Sequence, residues 1–316
     1  MIKFRQEKLM DKRSTNKAGK SGIILVLTVI ALWIGQRFSF SEDPTIINNP
    51  PPQGVIKVHF IDVGQGDSIL IENGEAAMLI DAGENSQGEV VVNYINSLDI
   101  EDLDYVIGTH PHSDHIGGLD DVILQVPVEK IIFPDVVHTT KTFEDVLDAI
   151  ESKNLKITKA IPGDEYTLGE AEFTIVAPNS IKYDELNNYS VGIHLQFGDS
   201  SFLFIGDAEE LSEEEILEAG HDISADVFKL SHHGSSTSNS SKFLDQVNPA
   251  YAVITVGEGN SYGHPHSITM QAMQERNIKV YRTDKQGTIV FTSDGSNISV
   301  NTKAYSITEG DLAGKN

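Results

Sequence analysis

The 316-residue chain is predicted to adopt an α/β fold, a four-layer αββα sandwich in which two sheets pack face to face between layers of helices. Two observations support this class. Short apolar runs alternate with helical segments in both halves of the chain. Each group of potential metal ligands also follows directly after one of these runs. A single globular domain over residues 55–302 and a C-terminal tail over residues 303–316 are expected.

In the first half, strands are predicted at the apolar runs 55–61, 68–71, 77–80, 104–108 and 130–133. The first two are separated by a glycine-rich turn over residues 62–67, and Asn73–Gly74 marks a hairpin. Helices are predicted between the strands, over residues 89–98 and 143–152. One strand ends at Asp81, and another delivers the segment that begins at His110.

The second half repeats this organisation. Strands are predicted at residues 172–176, 191–197, 201–205, 226–230, 251–256, 279–281, 288–291 and 298–300. An acidic helix is predicted over residues 211–218, and Ser267 is expected to cap a helix that ends near Arg276. The strand at 201–205 leads into Gly206–Asp207, and the next strand leads into His232–His233.

The first 40 residues differ from the rest in composition. Seven Lys and Arg residues precede an uncharged apolar run over residues 22–35. This pattern is typical of a membrane anchor or a cleaved secretion signal, and the lack of a small-residue cleavage site favours the anchor. Because the basic side stays in the cytoplasm, the globular domain is expected at the extracellular face of the membrane, or secreted. A linker over residues 41–54 joins the two parts.

Charge and cysteine content narrow the function classes. Residues 1–40 carry eight of the 23 basic and two of the 47 acidic residues, which leaves the remainder with a net charge of −30. Such a surface repels polyanions and argues against a general nucleic-acid groove. The absence of cysteine fits an exported protein without disulfides and excludes thiolate metal ligands.

Three imidazoles and one carboxylate lie within six residues, at His110, His112, Asp114 and His115. Imidazole nitrogen and carboxylate oxygen are the ligands that hold zinc, manganese or iron. His110 and His112 are placed to face one ion, and Asp114 and His115 to face a second. The segment therefore predicts a metal centre.

Residues after later strands extend this centre. Asp207 has two carboxylate oxygens and is predicted to bridge two ions. His233, with His232 as the less favoured choice, supplies a further imidazole, and Asp81 is placed to orient a ligand histidine. Two ions about 3.5–4 Å apart are the usual means of splitting phosphoesters.

The order of these motifs resembles that of the metallo-β-lactamase superfamily. The runs at residues 60–68, 187–191, 229–235 and 262–265 are more specific and resemble the hydrolase domain of ComEC-type competence proteins and their stand-alone relatives. The resemblance spans about residues 55–302. It implies the αββα sandwich with a hydrolytic metal site at one edge.

Two departures from the family pattern matter. Many members carry a further histidine before the Gly-Asp strand, where this chain has Asn187 and Asn188. Asn188 is therefore expected to be a weak oxygen ligand or a substrate contact, and the His110–His112 half to hold its ion more weakly. Full competence channels have many membrane spans, whereas this chain has at most one. DNA-channel function is not expected of it.

The sequence thus predicts an exported metal-dependent hydrolase, most directly a phosphodiesterase or nuclease-like enzyme using a metal-bound hydroxide. Two divalent ions, zinc or manganese, are the expected cofactors. Asp114 is expected to orient the hydroxide. His264 is expected to protonate the leaving oxygen or bind the substrate phosphate, and Ser235, with the loop after it, to hold phosphate oxygens.

The expected substrate is a phosphoester, with nucleic acid among the candidates, and the membrane is contacted through the N-terminal segment. No protein partner is predicted. One alternative is a phosphocholine esterase or another small-substrate hydrolase on the same fold, and choline recognition would require an aromatic cage. A less favoured alternative is a surface protein that binds metal without catalysis.

Overall fold

The computed structural model describes residues 2–10 and 52–314, which belong to one compact unit. The predicted anchor at residues 22–35 and most of the linker at residues 41–54 lie outside this part. Within the described ranges, no helix has the length and apolar character needed to span a membrane.

The first six strands, in chain order, belong to one sheet and are β1 (Ile56–Phe60), β2 (Ile69–Asn73), β3 (Ala76–Ile80), β4 (Leu103–Ile107), β5 (Val128–Phe133) and β6 (Ile157–Lys159). The next seven form a second sheet and are β7 (Glu165–Leu168), β8 (Ala171–Ala177), β9 (Gly192–Phe197), β10 (Ser200–Phe204), β11 (Val227–Lys229), β12 (Tyr251–Ile254) and β13 (Lys279–Arg282). The last two, β14 (Ile289–Ser293) and β15 (Ile298–Val300), return to the first sheet.

The helices of the described residues are α1 (Ile2–Leu9), α2 (Gly88–Ser97), α3 (Ser113–Ile116), α4 (Leu119–Gln125), α5 (Lys141–Ser152), α6 (Glu210–Ala219), α7 (Ser241–Val247), α8 (Ser267–Glu275), α9 (Thr283–Gln286) and α10 (Glu309–Leu312). Short 3-10 turns cover Leu186–Tyr189 and Ser231–Gly234. Both turns lie in loops that reach the candidate site.

Strand direction explains why the site residues meet. Strands β3 to β6 run parallel to one another, and so do β10 to β13. The carboxyl ends of parallel neighbours lie at the same edge of a sheet. The loops after β3 and β4 therefore emerge together in one sheet, and those after β10, β11 and β12 emerge together in the other.

Alternating side chains build three apolar layers. In β1, Val58 and Phe60 face the second sheet, whereas Leu70 of β2 faces the helices outside the first sheet. In β10, Phe204 faces the space between the sheets, and Leu203 faces the helices outside the second sheet. A strand has a side-chain period of two, so each strand contributes to two layers. The predicted αββα sandwich is confirmed.

Several local expectations differ from the structure. The N-cap position of α8 is held by His266, and Ser267 is the first helical residue. Helix α7 was not expected, although Ser240 caps it by accepting a hydrogen bond from Phe243 N at 3.3 Å. The predicted tail also folds back, because Tyr305 N donates to Val280 O at 2.7 Å and α10 packs on α8.

The start of the chain also contacts the folded unit. Arg5 of α1 donates to Glu151 of α5 through Nε at 2.9 Å and Nη2 at 2.6 Å. Helix α1 lies within the segment assigned from composition to the N-terminal extension. At least one basic residue of the N-terminal stretch, Arg5, therefore forms an ion pair with an acidic residue of the globular domain, Glu151.

We predict that Phe60→Ala destabilises the fold by about 3–5 kcal/mol, because it leaves a cavity between the sheets. Phe60 is fully buried, and its ring centroid lies 5.8 Å from that of Phe291. Urea unfolding of the full chain measures the change as a lower midpoint with an unchanged slope. Ile181→Ala is the control, since Ile181 is 89% exposed. Equal midpoints for the two variants would contradict the packing described.

Candidate metal centre

The segment from His110 to His115 is held in place by a glycine-rich turn packed against it. Asp67 N donates to Asp114 O at 3.0 Å. Gly66 has a φ of +125°, and a Cβ at this position would lie 2.0 Å from Asp114 O. Only glycine permits this approach. The turn between β1 and β2 therefore fixes the backbone of the segment after β4.

Asp81 lies directly behind His115. Its carboxylate accepts hydrogen bonds from Thr109 N at 2.8 Å and Thr109 Oγ1 at 2.6 Å, and its Oδ2 is 2.8 Å from His115 Nδ1. The contact places the imidazole proton on Nδ1, which leaves Nε2 as a lone-pair donor toward the cleft. Burial raises the pKa of Asp81 above its ordinary value, although the hydrogen bonds from His115 and Thr109 oppose this effect.

Asp207 and His233 complete one group of potential ligands. Asp207 Oδ2 is 3.1 Å from His115 Nε2 and 3.4 Å from His233 Nε2. His233 Nε2 is also 3.4 Å from Asp114 Oδ2, and its Nδ1 is 2.8 Å from Thr255 O. His233 has a φ of +54°, an uncommon conformation for a non-glycine residue, and it aims the ring into the group.

The other two histidines of the segment form a second group. His110 Nε2 lies 2.9 Å from His112 Nδ1, and the two ring centroids are 4.7 Å apart. His110 Nδ1 is 3.1 Å from Thr109 Oγ1 and 3.3 Å from Ser190 Oγ. Potential ligand atoms of His110, His115 and Asp207 all lie within 4.8 Å of one another. The two groups are therefore contiguous and share Asp207.

These donors fit divalent cations. A tetrahedral ion bound at about 2.0–2.1 Å holds its ligand atoms about 3.3 Å apart, which matches the separations around Asp207 Oδ2. His115 Nε2, His233 Nε2 and Asp207 Oδ1 are buried and have no hydrogen-bond partner among the described residues. Buried polar atoms normally have partners, so these unsatisfied atoms are suited to coordinate a cation.

Charge in this centre is unusually concentrated. Although burial opposes it, the carboxylates of Asp207, Asp67 and Asp114 raise the pKa of His115 well above its ordinary value. Burial also opposes ionisation of Asp207, but the imidazoles of His115 and His233 outweigh it and hold its pKa well below the usual range. The centre thus strongly favours cations around Asp207.

A buried ion pair beneath the centre was missed by sequence reasoning. Lys229 is fully buried in β11, and its ammonium pairs with Asp67 Oδ2. The same Nζ lies 3.6 Å from Asp207 Oδ1 and donates to Gly206 O at 3.1 Å. Burial opposes the charge on Asp67, but Lys229 outweighs it and lowers the carboxyl pKa. A lysine within an apolar strand was the available signal.

The cleft above the centre has a volume of about 240 Å³ and is lined by Gln65, His112, Ser113, Asp114, Asn187, Asp207, His232, His233, Tyr262 and His264. Gln65 Oε1 accepts a hydrogen bond from Gly257 N at 3.3 Å. Its Nε2 is buried and has no partner in the described part of the chain. Gln65 therefore presents amide hydrogens to whatever occupies the cleft.

His264 lies at the cleft on a loop held by Asn260. Asn260 accepts from His264 N at 3.0 Å and donates to His264 O at 2.7 Å. Burial and, after it, the neighbouring histidines lower the pKa of His264 to about 3. Tyr262 stacks on its ring at a centroid distance of 5.6 Å. His264 is thus a neutral imidazole at physiological pH.

Of the other site residues predicted from the sequence, His232 lines the cleft, whereas Asn188 and Ser235 are buried beside it in hydrogen bonds with neighbouring residues. Asn188 Oδ1 accepts from Glu209 N at 3.1 Å, and its neighbour Asn187 lines the cleft. Ser235 is buried, and its hydroxyl is 3.1 Å from Thr237 Oγ1 within its own loop. His232 lines the cleft with its Nε2 3.9 Å from Asp207 Oδ2.

Sequence comparison identifies the family of this centre. The profile of the Metallo-beta-lactamase superfamily matches residues 61–258. The chain belongs to the metallo-beta-lactamase superfamily. The match covers the segment from His110 to His115, Asp207 and His233, so the proposed ligands lie inside the family domain.

Two named relatives match most of this chain. ComE operon protein 3 of Bacillus subtilis is 31% identical over 253 residues, which are 74% of this chain and 33% of that protein. Competence protein ComA of Neisseria gonorrhoeae is 27% identical over 242 residues, 76% of this chain and 33% of that protein. The chain thus spans about a third of the length of these two relatives.

A solved structure agrees with the fold. The metallo-beta-lactamase fold protein YhfI of Bacillus subtilis aligns with a TM-score of 0.52 at 14% identity, over 76% of this chain and 100% of that one. At this identity the similarity shows the fold alone. It is consistent with the two sheets and outer helices of the superfamily domain.

We predict that Lys229→Met destabilises the superfamily domain by about 3–5 kcal/mol, because it leaves the Asp67 carboxylate buried and unpaired. Urea unfolding of the full chain measures the loss. Lys285→Met is the matched control, since Lys285 is partly exposed and its ion pairs at 3.2 and 3.7 Å are expected to contribute about 0–1 kcal/mol. If Lys229→Met proved as stable as the control, the ion pair would not support the site.

Proposed function

We propose that this chain is a metal-dependent phosphodiesterase of the nuclease type. The observation that carries the proposal is that adjoining groups of imidazole and carboxylate donors and a buried hydrogen-bond donor, Gln65 Nε2, meet at one cleft. A cation site beside a fixed N–H donor suits a phosphoryl group, whose oxygens carry negative charge and only accept hydrogen bonds.

The proposed ligands divide between two divalent ions, zinc or manganese. His110 and His112 serve the first ion, Asp114, His115 and His233 serve the second, and Asp207 is shared. When bound, such ions lower the pKa of an attacking water and neutralise charge on phosphoryl oxygens. Asp81 keeps His115 oriented as a neutral ligand through the contact at its Nδ1.

The chain's own polar groups then position the reactants. Gln65 Nε2 donates to a phosphoryl oxygen, because its Oε1 is already held by Gly257 N. Asp114, at the cleft wall, accepts a hydrogen bond from the attacking water. A neutral His264 donates its remaining ring N–H to the leaving oxygen, rather than delivering a proton as imidazolium.

The lining of the cleft argues against the phosphocholine alternative. A quaternary ammonium group is recognised by a cage of aromatic rings. Tyr262 is the only Phe, Tyr or Trp among the described residues that line the cleft, and it is 65% exposed. The cleft therefore lacks a cage and offers polar contacts instead, which favours the phosphodiester.

Nucleic acid is the proposed phosphodiester, and the name of one relative, Competence protein ComA, supports it. The cleft of about 240 Å³ is smaller than typical ligand pockets of about 300–1,000 Å³ and suits one phosphodiester linkage at a time. The net charge of −30 outside residues 1–40 weakens long-range attraction of polyanions. We therefore favour a single strand or short fragment over a duplex.

The proposed enzyme works outside the cytoplasm. The apolar run at residues 22–35, preceded by basic residues, supports an anchor whose basic side stays inside. Protease added to intact cells is then expected to degrade the domain. Protection of the domain until the cells are lysed would contradict this location.

We predict that the purified full chain, supplied with manganese or zinc, hydrolyses bis-p-nitrophenyl phosphate and single-stranded DNA. Asp207→Ala is expected to lower kcat/KM by about a hundredfold or more, because both proposed ions lose a ligand. Duplex DNA, p-nitrophenyl phosphocholine and nitrocefin complete the panel. Turnover of the phosphocholine ester alone, or DNA cleavage that survives Asp207→Ala, would contradict the assignment.

A second arm of this experiment separates substrate binding from metal binding. Gln65→Glu keeps the acceptor for Gly257 N but replaces the amide donor with a negative charge. We expect KM for bis-p-nitrophenyl phosphate to rise about tenfold with unchanged metal content, since a charge-assisted hydrogen bond is worth about 1.5–3 kcal/mol. Gln274→Glu makes the same charge change at an exposed position and is expected to match the parent.

A further inference from the structure

Asn187 lines the cleft, and the orientation of its side-chain amide is fixed by a hydrogen bond to Glu209. Its Nδ2 donates to Glu209 Oε1 at 3.2 Å. An ionised carboxylate only accepts hydrogen bonds, so the amide nitrogen must face Glu209 and the amide oxygen must face away. Asn187 Oδ1 is buried and has no hydrogen-bond partner among the described residues, although the side chain lines the cleft.

Glu209 is itself held by other groups, so the orientation does not depend on one contact. Thr237 Oγ1 donates to Glu209 Oε1 at 3.1 Å, and Glu209 N donates to Asn188 Oδ1 at 3.1 Å. The 3-10 turn at Leu186–Tyr189 is thus joined to the start of α6 through two side-chain amides. Asn188 is engaged inside this junction, which leaves Asn187 free to serve the cleft.

The buried, unpartnered acceptor restricts what Asn187 can contact. An amide oxygen repels phosphoryl oxygens, so it requires a hydrogen-bond donor or a cation. The first half of the metal centre has two imidazoles, His110 and His112, whose ring nitrogens lie 2.9 Å apart. Through His110 it shares Asp207 with the second half. In addition to Asp207, the second half has three potential ligands, Asp114, His115 and His233. The half with fewer ligands therefore needs another donor, and Asn187 lies in the same cleft.

We propose that Asn187 is an oxygen ligand of the first ion, an inference that rests on the two-ion function proposed above. The first half then has two imidazole nitrogens and two oxygens, whereas the second has more imidazole and carboxylate donors around one ion. Carbonyl and carboxylate oxygens suit manganese, and imidazole suits zinc. The first half is therefore the weaker zinc site and the one where manganese competes best.

The test is titration of the metal-free full chain with Zn²⁺ and separately with Mn²⁺, in competition with a chelator and without substrate. The parent is expected to bind two ions with different affinities. Asn187→Ala is expected to weaken the weaker site at least about tenfold and leave the tighter site unchanged. Asn187→His is expected to strengthen zinc binding at the weaker site and to reduce the preference for manganese.

Matched variants of the same junction identify the cause. Asn188→Ala removes the neighbouring amide, and two ions are still expected to bind with parental affinity. Glu209→Gln removes the carboxylate that orients Asn187 and is expected to weaken only the weaker site. Circular dichroism shows whether each variant is folded, and Asn187→His gains affinity, an outcome that unfolding cannot produce.

Three outcomes would overturn the inference. They are parental binding of two ions by Asn187→Ala, equal weakening by Asn188→Ala, and a single ion in the parent. These readouts are independent of turnover. If the parent binds two ions as described but hydrolyses no phosphodiester, the proposed function fails while the Asn187 ligand stands. If the parent hydrolyses phosphodiesters and Asn187→Ala binds both ions with parental affinity, the proposed function stands and the Asn187 ligand fails.

Discussion

Negative charge beneath the cleft is the constraint on which the rest of the site depends. Lys229 provides the fixed positive charge, because its ammonium pairs with Asp67 and faces one oxygen of Asp207. Three further features follow from the excess of carboxylate. The pKa values of His115 and His233 rise well above normal, despite burial, through Asp207. Cations are favoured around the Asp207 carboxylate. Protons and divalent ions must therefore compete for the same imidazoles.

Packing of the two sheets assembles this charge. His115 follows a strand of the first sheet, and Asp207 and His233 follow strands of the second. Two contacts cross from one sheet to the other, His115 Nε2 to Asp207 Oδ2 at 3.1 Å and His233 Nε2 to Asp114 Oδ2 at 3.4 Å. They exist because the sheets lie face to face on a shared apolar layer that includes Phe60 and Phe204. The Asp67–Lys229 pair joins the same two sheets at the site. The geometry of the metal centre thus depends on the packing of the apolar core.

Much of the fold and part of the site could be predicted because their signals are local. Apolar runs and the dense segment from His110 to His115 are visible in a few consecutive residues. Gln65, Asn187 and Lys229 lie in runs that resemble the family, but their individual roles could not be predicted, since the role of each is set by a partner on another element. An amide oxygen accepts hydrogen bonds, whereas an amide nitrogen donates them. Gly257 engages the oxygen of Gln65 and Glu209 engages the nitrogen of Asn187, so each partner decides which amide atom remains for the cleft.

The sequence by itself determined the αββα class, the family resemblance and the ligand types, because hydrophobic periodicity and ligand chemistry belong to residues and their neighbours. The tertiary structure decided which donors converge, since that depends on strand direction and sheet packing. It placed Asn187 rather than Asn188 at the cleft, because Glu209 engages both amides but leaves only the oxygen of Asn187 without a partner among the described residues. It also paired Lys229 with Asp67, a contact between distant segments that no local pattern encodes.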